Sequence, residues 1–341
     1  LDLTAVSPIA VAGTLLDSAG NATTLTIPAG QNIADSKAIV VDGVIPFVSS
    51  ISSSTGDGLK KVGDVVNVTV NFSEPVTLAG GNIEVTLETG STDRVVTIAP
   101  FSSATSATGT YTVQAGDASL DLNANGPVAL SAGTVVDAAG NPTTLTIPAG
   151  QNLADAKAIV IDGVIPTVTS VTSTTGNGLY KVGDVINVTV NFSENVSLSG
   201  DNLEVTLETG ATDRKVIIAP FGPANSAVGT YTVQAGDASL DLTANGPLTL
   251  AGTATLLDAA GNPTTLTIPA GQNIADAKNI AVDGVVPFVS SVTSSTANGT
   301  YKAGDVINVT VNFNENVTLA GGNLLVTLET GATDRVVTIA P

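Results

Sequence analysis

The chain has 341 residues, with 11 Lys and Arg against 30 Asp and Glu, a formal net charge of −19, and no His or Cys. That composition excludes a disulfide framework, a thiolate nucleophile, a Cys- or His-built metal site and any imidazole base. So few basic residues argue against nucleic acid, whose phosphates need clustered Lys and Arg.

With 43% hydrophobic and only 12% charged residues, the chain has the apolar content of a folded protein, not of an acidic disordered tail. Apolar runs such as Ala38–Val41 are far too short to span a bilayer, so no membrane insertion is expected. No signal or targeting segment is visible at Leu1, which reads as a mature or internal start.

Internal repetition dominates the sequence. Thr-Thr-Leu-Thr-Ile-Pro-Ala-Gly-Gln-Asn occurs at 23–32, 143–152 and 264–273, giving periods of 120 and 121 residues. A solenoid unit runs about 20–50 residues, so each period reads as one separately cored domain. In chain order, the sequence predicts the C-terminal part of a repeat over 1–45, complete repeats over 46–165 and 166–286, and the N-terminal part of a repeat over 287–341. Two ways of completing the partial repeats are open: more repeats on either side, or closure of one molecule's C-terminal part by the next molecule's N-terminal part.

Period-two alternation marks the strands. Val66, Val68, Val70 and Phe72 share one face and Asn67, Thr69 and Asn71 the other; Ile83, Val85 and Leu87 alternate with Glu84, Thr86 and Glu88. In the first complete repeat the predicted strands are 47–53, 64–73, 82–89, 93–99, 109–115, 133–137, 143–148 and 157–162. No window has helical periodicity, and Gly, Pro, Asn and Thr punctuate throughout. The expected class is all-β: tandem immunoglobulin-like β-sandwich domains, end to end, about 120 residues each.

Asp42-Gly43-Val44-Ile45-Pro46, Lys61-Val62-Gly63-Asp64, Asn71-Phe72-Ser73-Glu74 and Val136-Asp137-Ala138-Ala139-Gly140-Asn141 together resemble bacterial immunoglobulin-like tandem repeats. Such repeats build large secreted or surface-attached proteins, often adhesins. The resemblance covers essentially the whole chain. The family's linker usually reads Asp-Thr-Thr-Ala-Pro, whereas here Gly and aliphatic residues separate the Asp from the Pro.

The candidate chemistry is Ca²⁺ binding at one pole of each repeat, and the resemblance implies the same kind of site. The first set is Asp42, Glu74, Asp137 and Asn141; the second is Asp162, Glu194, Asp258 and Asn262; Asp283 and Glu315 begin a third. Ca²⁺ takes 6–8 hard oxygen ligands, which carboxylates, amides and carbonyls supply. The competing reading is that Asp-x-x-Gly-Asn is simply good hairpin-turn chemistry. At the opposite pole, Asp117, Asp121, Asp237 and Asp241 read as solvated turn acids, and Arg94, Arg214 and Arg335 as members of exposed ion pairs. Glu84 with Glu88, and Glu204 with Glu208, lie along strand faces and are not opposed across a cleft as a glycosidase pair requires, so no enzyme is expected. Sequons such as Asn67 and Asn71 follow from Asn-Val-Thr alternation and read as a polar sheet face.

The functional expectation is a structural rod or filament at the cell surface or outside the cell, with Ca²⁺ stiffening the domain junctions. Its partners would be neighbouring repeats or copies of itself. The alternative is an adhesin segment that presents a module recognising a surface glycan or protein.

Overall fold

Alternating Val, Ile and Thr become strands wherever the alternation is regular, because branched Cβ atoms suit a pleated surface with one buried face. The computed structural model describes residues 2–341, and these divide into two units between Ile165 and Pro166. The described residues are all-β apart from three single-turn helices.

In the first unit, α1 (Ile33–Ser36) precedes ten strands: β1 (Val48–Ser52), β2 (Gly58–Lys60), β3 (Val65–Ala79), β4 (Ile83–Leu87), β5 (Arg94–Ile98), β6 (Phe101–Thr112), β7 (Ala118–Ser119), β8 (Ala129–Leu130), β9 (Thr134–Val136) and β10 (Ile159–Asp162). A further turn, α2 (Leu153–Ala156), lies between β9 and β10. The strands form three sheets, β1-β3-β6 with β9 also on β3, β2-β10-β7, and β5-β4-β8. Inward residues of all three, among them Val68, Ile83, Tyr111 and Ile159, form one buried cluster.

The second unit repeats this plan with β11 (Val168–Thr172), β12 (Gly178–Lys181), β13 (Val185–Ser199), β14 (Leu203–Leu207), β15 (Arg214–Ile218), β16 (Phe221–Thr232), β17 (Ala238–Ser239), β18 (Ala244–Leu250), β19 (Thr255–Leu257), α3 (Ile274–Ala277) and β20 (Ile280–Asp283). Register repeats too: Val66 faces Tyr111 across β3–β6, and Ile186 faces Tyr231 across β13–β16. The unit continues with β21 (Val289–Thr293), β22 (Thr310–Phe313), β23 (Leu324–Leu328) and β24 (Arg335–Ile339), which form two two-stranded pairs.

Several elements differ from the sequence expectation. β3 runs on to Ala79 through an irregularity between Asn71 and Val76, and β6 begins at Phe101. Residues 143–148 form no strand: Thr144 makes a lone parallel bridge to Phe47. Pro142 and Pro148 bracket this stretch and offer no N–H to a ladder. The single helical turn after it is set by a capping box. Asn152 accepts from Leu153 N, and Asp155 accepts from Asn152 N at 2.8 Å. Asn152 also clamps the Ala124 peptide, accepting from its N–H and donating to its carbonyl.

The Gly that follows the linker Asp has a steric cause. Gly163 N donates to Asp117 O at 2.7 Å, and Gly116 N donates to Gly163 O at 2.8 Å. A Cβ on Gly163 would lie 2.3 Å from Gln114 O, closer than any side chain tolerates. Gly284 repeats the contact against Gln234 and Asp237. Among the described residues no helix is long and apolar enough to cross a membrane.

Candidate metal centre

The inward phase of β3 runs Val66, Val68, Val70, Phe72, Glu74, Val76 and Leu78, and every member except Glu74 is an apolar, buried side chain. Glu74 thus brings a carboxylate onto the apolar phase, at the strand's irregularity. Asp137 follows β9 and opens a turn that reverses at Gly140, whose φ of 94° favours a residue without Cβ. Asp42 comes from the segment leading into β1. One oxygen from each of Asp42, Glu74 and Asp137 lies within 4.8 Å of the other two.

The turn itself is complete without an ion. Asp137 Oδ1 accepts from Ala139 N at 2.9 Å and Asn141 N at 2.8 Å, and Asn141 Nδ2 donates to Asp137 Oδ2 at 2.7 Å. Burial opposes the charge on Asp137, but the Asn141 side chain and the turn's N–H groups outweigh it and hold the carboxyl below its usual range. Asp17 and Asn21 form the same turn with the same hydrogen bonds. Turn chemistry therefore accounts for Asp137 and Asn141 by itself.

It does not account for Glu74. Glu74 Oε1 is buried and takes a hydrogen bond from no described residue. Burial first, then the charges of Asp42 and Asp137, push its carboxyl above the usual range. Three converging carboxylates with one oxygen unsatisfied form a donor set that suits a hard, oxygen-seeking cation. Asn141 Nδ2 also reaches Asp42 O at 3.2 Å, tying the turn to the linker.

The counterparts divide. Glu194 occupies the same inward phase of β13, and Asp258 and Asn262 form the same turn, with Asn262 Nδ2 donating to Asp258 Oδ2 at 2.8 Å. Asp162 belongs to the first unit, after Ile161 on β10. Asp283 and Glu315 line one surface hollow with Lys181 and Asp184, and Glu315 Oε1 is buried without a described hydrogen-bond donor. Among the described residues, no third carboxylate completes a cation-sized group around Asp283 and Glu315.

The acids of the other pole require correction. Asp121 and Asp241 are exposed, but Asp117 and Asp237 are buried. Asp117 accepts from Tyr111 Oη at 2.6 Å, Arg94 Nε at 2.8 Å and Gln114 N at 2.9 Å. Asp237 accepts from Tyr231, Arg214 and Gln234 at the same distances. Burial opposes charge on Asp117, but Arg94, Tyr111 and Gln114 N together outweigh it and hold the carboxyl low. Burial and the adjacent carboxylate in turn push the Tyr111 and Tyr231 hydroxyls far up. Arg94 and Arg214 therefore pair with a buried acid 23 residues on, while the preceding Asp93 and Asp213 accept from Asn125 and Asn245. The available signal was a Tyr six residues before an Asp, present in both repeats.

The strand-face glutamates are tied up locally: Glu88 and Glu208 accept from Gly90 N and Gly210 N, and Glu204 from Lys215 at 2.7 Å.

No family model and no curated protein matches the chain. Among solved structures, a DUF4785 family protein from Legionella pneumophila is similar at 13% identity, over 67% of this chain and 57% of its own length, with a TM-score of 0.22. A likeness at that score fixes neither fold nor function.

Proposed function

We propose that the chain is a structural repeat protein of the cell exterior. Tandem immunoglobulin-like sandwiches, of the kind seen in bacterial surface proteins, would build a rod or filament. The observation that carries this reading is the recurrence of one fold plan, register and buried network over 46–165 and 166–286. Repetition of this kind multiplies length and leaves chemistry unfocused, which supports a non-enzymatic role.

Ca²⁺ is the cofactor this reading assigns. Asp42, Glu74 and Asp137 would hold it, with Glu74 supplying the oxygen that lacks a donor. Bound there, the cation would neutralise the mutual repulsion of three carboxylates and join the linker to the β9 turn. Negative-stain micrographs of native material, with small-angle scattering of the purified chain in Ca²⁺, test the proposal. Extended particles are expected; a compact particle with a radius of gyration near the roughly 20 Å of one globular domain of this length would overturn it.

A further inference from the structure

Thr143 Oγ1, like Glu74 Oε1, is buried and makes no hydrogen bond with any described residue. The strand path of the first unit brings the two side chains to one mouth of a closed ring. β3 changes partner at its irregularity. Beyond it, Leu78 faces Val135 on β9. Val136 bridges Pro142, and Thr143 N donates to Val135 O at 2.9 Å. Thr144 bridges Phe47, and Val48 N donates to Thr144 O at 2.9 Å. Val48 then faces Phe72, on the near side of the irregularity, which returns the circuit to β3.

Three segments of this ring turn from apolar to polar at the same mouth without leaving their inward phase. Phe72 gives way to Glu74 on β3, and Val135 to Asp137 after β9. In 143–147, Leu145 and Ile147 pack against the buried cluster, and the same alternation leads back to Thr143 and Asn141. Asn141 Nδ2 donates to Asp137 and to the Asp42 carbonyl. Thr143 is therefore the next inward residue below Asn141, on the core side of the three carboxylates.

The fold itself does not call for a hydroxyl there. Val has the same branched shape, suits an extended segment as well, and would leave no buried oxygen without a partner. The second unit nevertheless repeats the arrangement. Leu198 faces Leu256, Thr264 N donates to Leu256 O at 3.0 Å, Thr265 bridges Thr167, and Val168 faces Phe192. Thr264 Oγ1 is again buried with no hydrogen-bond partner among the described residues.

We infer that Thr143 Oγ1 is a further ligand of the cation held by Asp42, Glu74 and Asp137, offered from the core side of the site. A hydroxyl oxygen has two lone pairs and no charge. It raises the oxygen count toward the 6–8 that Ca²⁺ takes and adds nothing to the repulsion among the carboxylates. This ligand rests on the Ca²⁺ reading and completes that same site.

Hydrogen exchange read by mass spectrometry, on the full chain titrated with CaCl₂, tests it. The readout is the Ca²⁺ concentration that gives half-maximal protection of the Asp137 turn; the Asp258 turn, with Thr264 intact, is the reference in the same sample. Thr143→Val is expected to raise that concentration at least about 10-fold, the lower end of what loss of a group supporting a metal site costs. Thr143→Ser, which keeps the oxygen, is expected to stay close to wild type. In EDTA, Thr143→Val should exchange no faster than wild type, because the hydroxyl it removes has no partner there. A midpoint in Thr143→Val within about 3-fold of wild type, below that 10-fold range, would overturn the ligand and leave the carboxylate site standing, as would an equal loss in Thr143→Ser. Faster exchange of Thr143→Val in EDTA would also overturn it, by showing that the hydroxyl serves the ion-free fold. Wild-type protection that does not respond to Ca²⁺ at all would overturn the carboxylate site and this ligand with it.

Discussion

Tyr231→Phe isolates one hydrogen bond of the second unit's buried network. The hydroxyl donates to Asp237 Oδ2 at 2.6 Å, and Asp237 is 1% exposed. Phe fills the same space, so no cavity opens and the loss is that of one bond to a charged acceptor, about 1.5–3 kcal/mol. Asp237 keeps Arg214 and Gln234 N, so the carboxylate is weakened but not orphaned. Asp237→Ala removes the shared acceptor of all three donors and is expected to cost more, about 3–5 kcal/mol, as for breaking a buried ion pair. Hydrogen exchange read by mass spectrometry gives the effect unit by unit. Core amides of β16 in Tyr231→Phe should lose protection by about 10- to 150-fold, the equivalent of that free energy, while β6, with Tyr111 intact, serves as reference in the same sample. A change in β16 below about 3-fold, outside the range expected for a bond to a charged acceptor, would refute the assignment of stability to this network.

Glu74→Gln should stabilise the Ca²⁺-free protein, because it removes a carboxylate raised by burial and by Asp42 and Asp137, and it should diminish the Ca²⁺-dependent rise in melting temperature. For wild type that rise follows RT ln(1 + [L]/Kd), about 2.7 kcal/mol at a hundredfold excess; an equal rise in the variant would remove Glu74 from the site. Because Glu74's folded value is raised, its protonated form stabilises the Ca²⁺-free fold at low pH, and this is lost as pH rises through that value; Ca²⁺ affinity in isothermal titration should therefore weaken as pH falls through the same range. Asp117 and Asp237 have the opposite sign: their depressed folded values give stability present above the unfolded carboxyl pKa of about 3.9 and lost as pH falls further. The raised Tyr111 and Tyr231 give stability present below about pH 10 and lost as pH rises toward their folded values. Urea midpoints across pH should thus form a plateau with both edges; Tyr111→Phe/Tyr231→Phe should lower the plateau, remove the tyrosine contribution to the alkaline edge and shrink the acid edge, because each hydroxyl also helps hold its Asp low. Gly163→Ala forces a Cβ against Gln114 O, so the Gly163–Asp117 amide bond should exchange faster; unchanged exchange would show that the backbone can shift at no cost.

The all-β class was legible because alternation is regular where one strand face is buried, as at Val66–Phe72. The sequence reading missed what is too short, too local or too distant for periodicity. One helical turn at Leu153–Ala156 cannot show a 3.6-residue period, although Asn152 and Asp155 spell its capping box. β3 was cut short at Ser73 because Glu74 and Pro75 look like a strand's end, yet the apolar phase resumes in register at Val76 and Leu78. That continuation also distinguishes the site from the turn beside it. Asp137 and Asn141 look like ligands in the sequence, but hydrogen bonds within the turn account for both, as they do for Asp17 and Asn21. The informative residue is the acid that interrupts an apolar phase, a pattern repeated at Glu194 and Glu315. Asp117 was misjudged for the converse reason: the sequence places it in a Gly-rich turn, and its Arg94 partner lies two strands earlier. An acid's position relative to the phase of its strand, and the aromatic hydroxyl within reach of it, predict its burial better than the turn residues on either side.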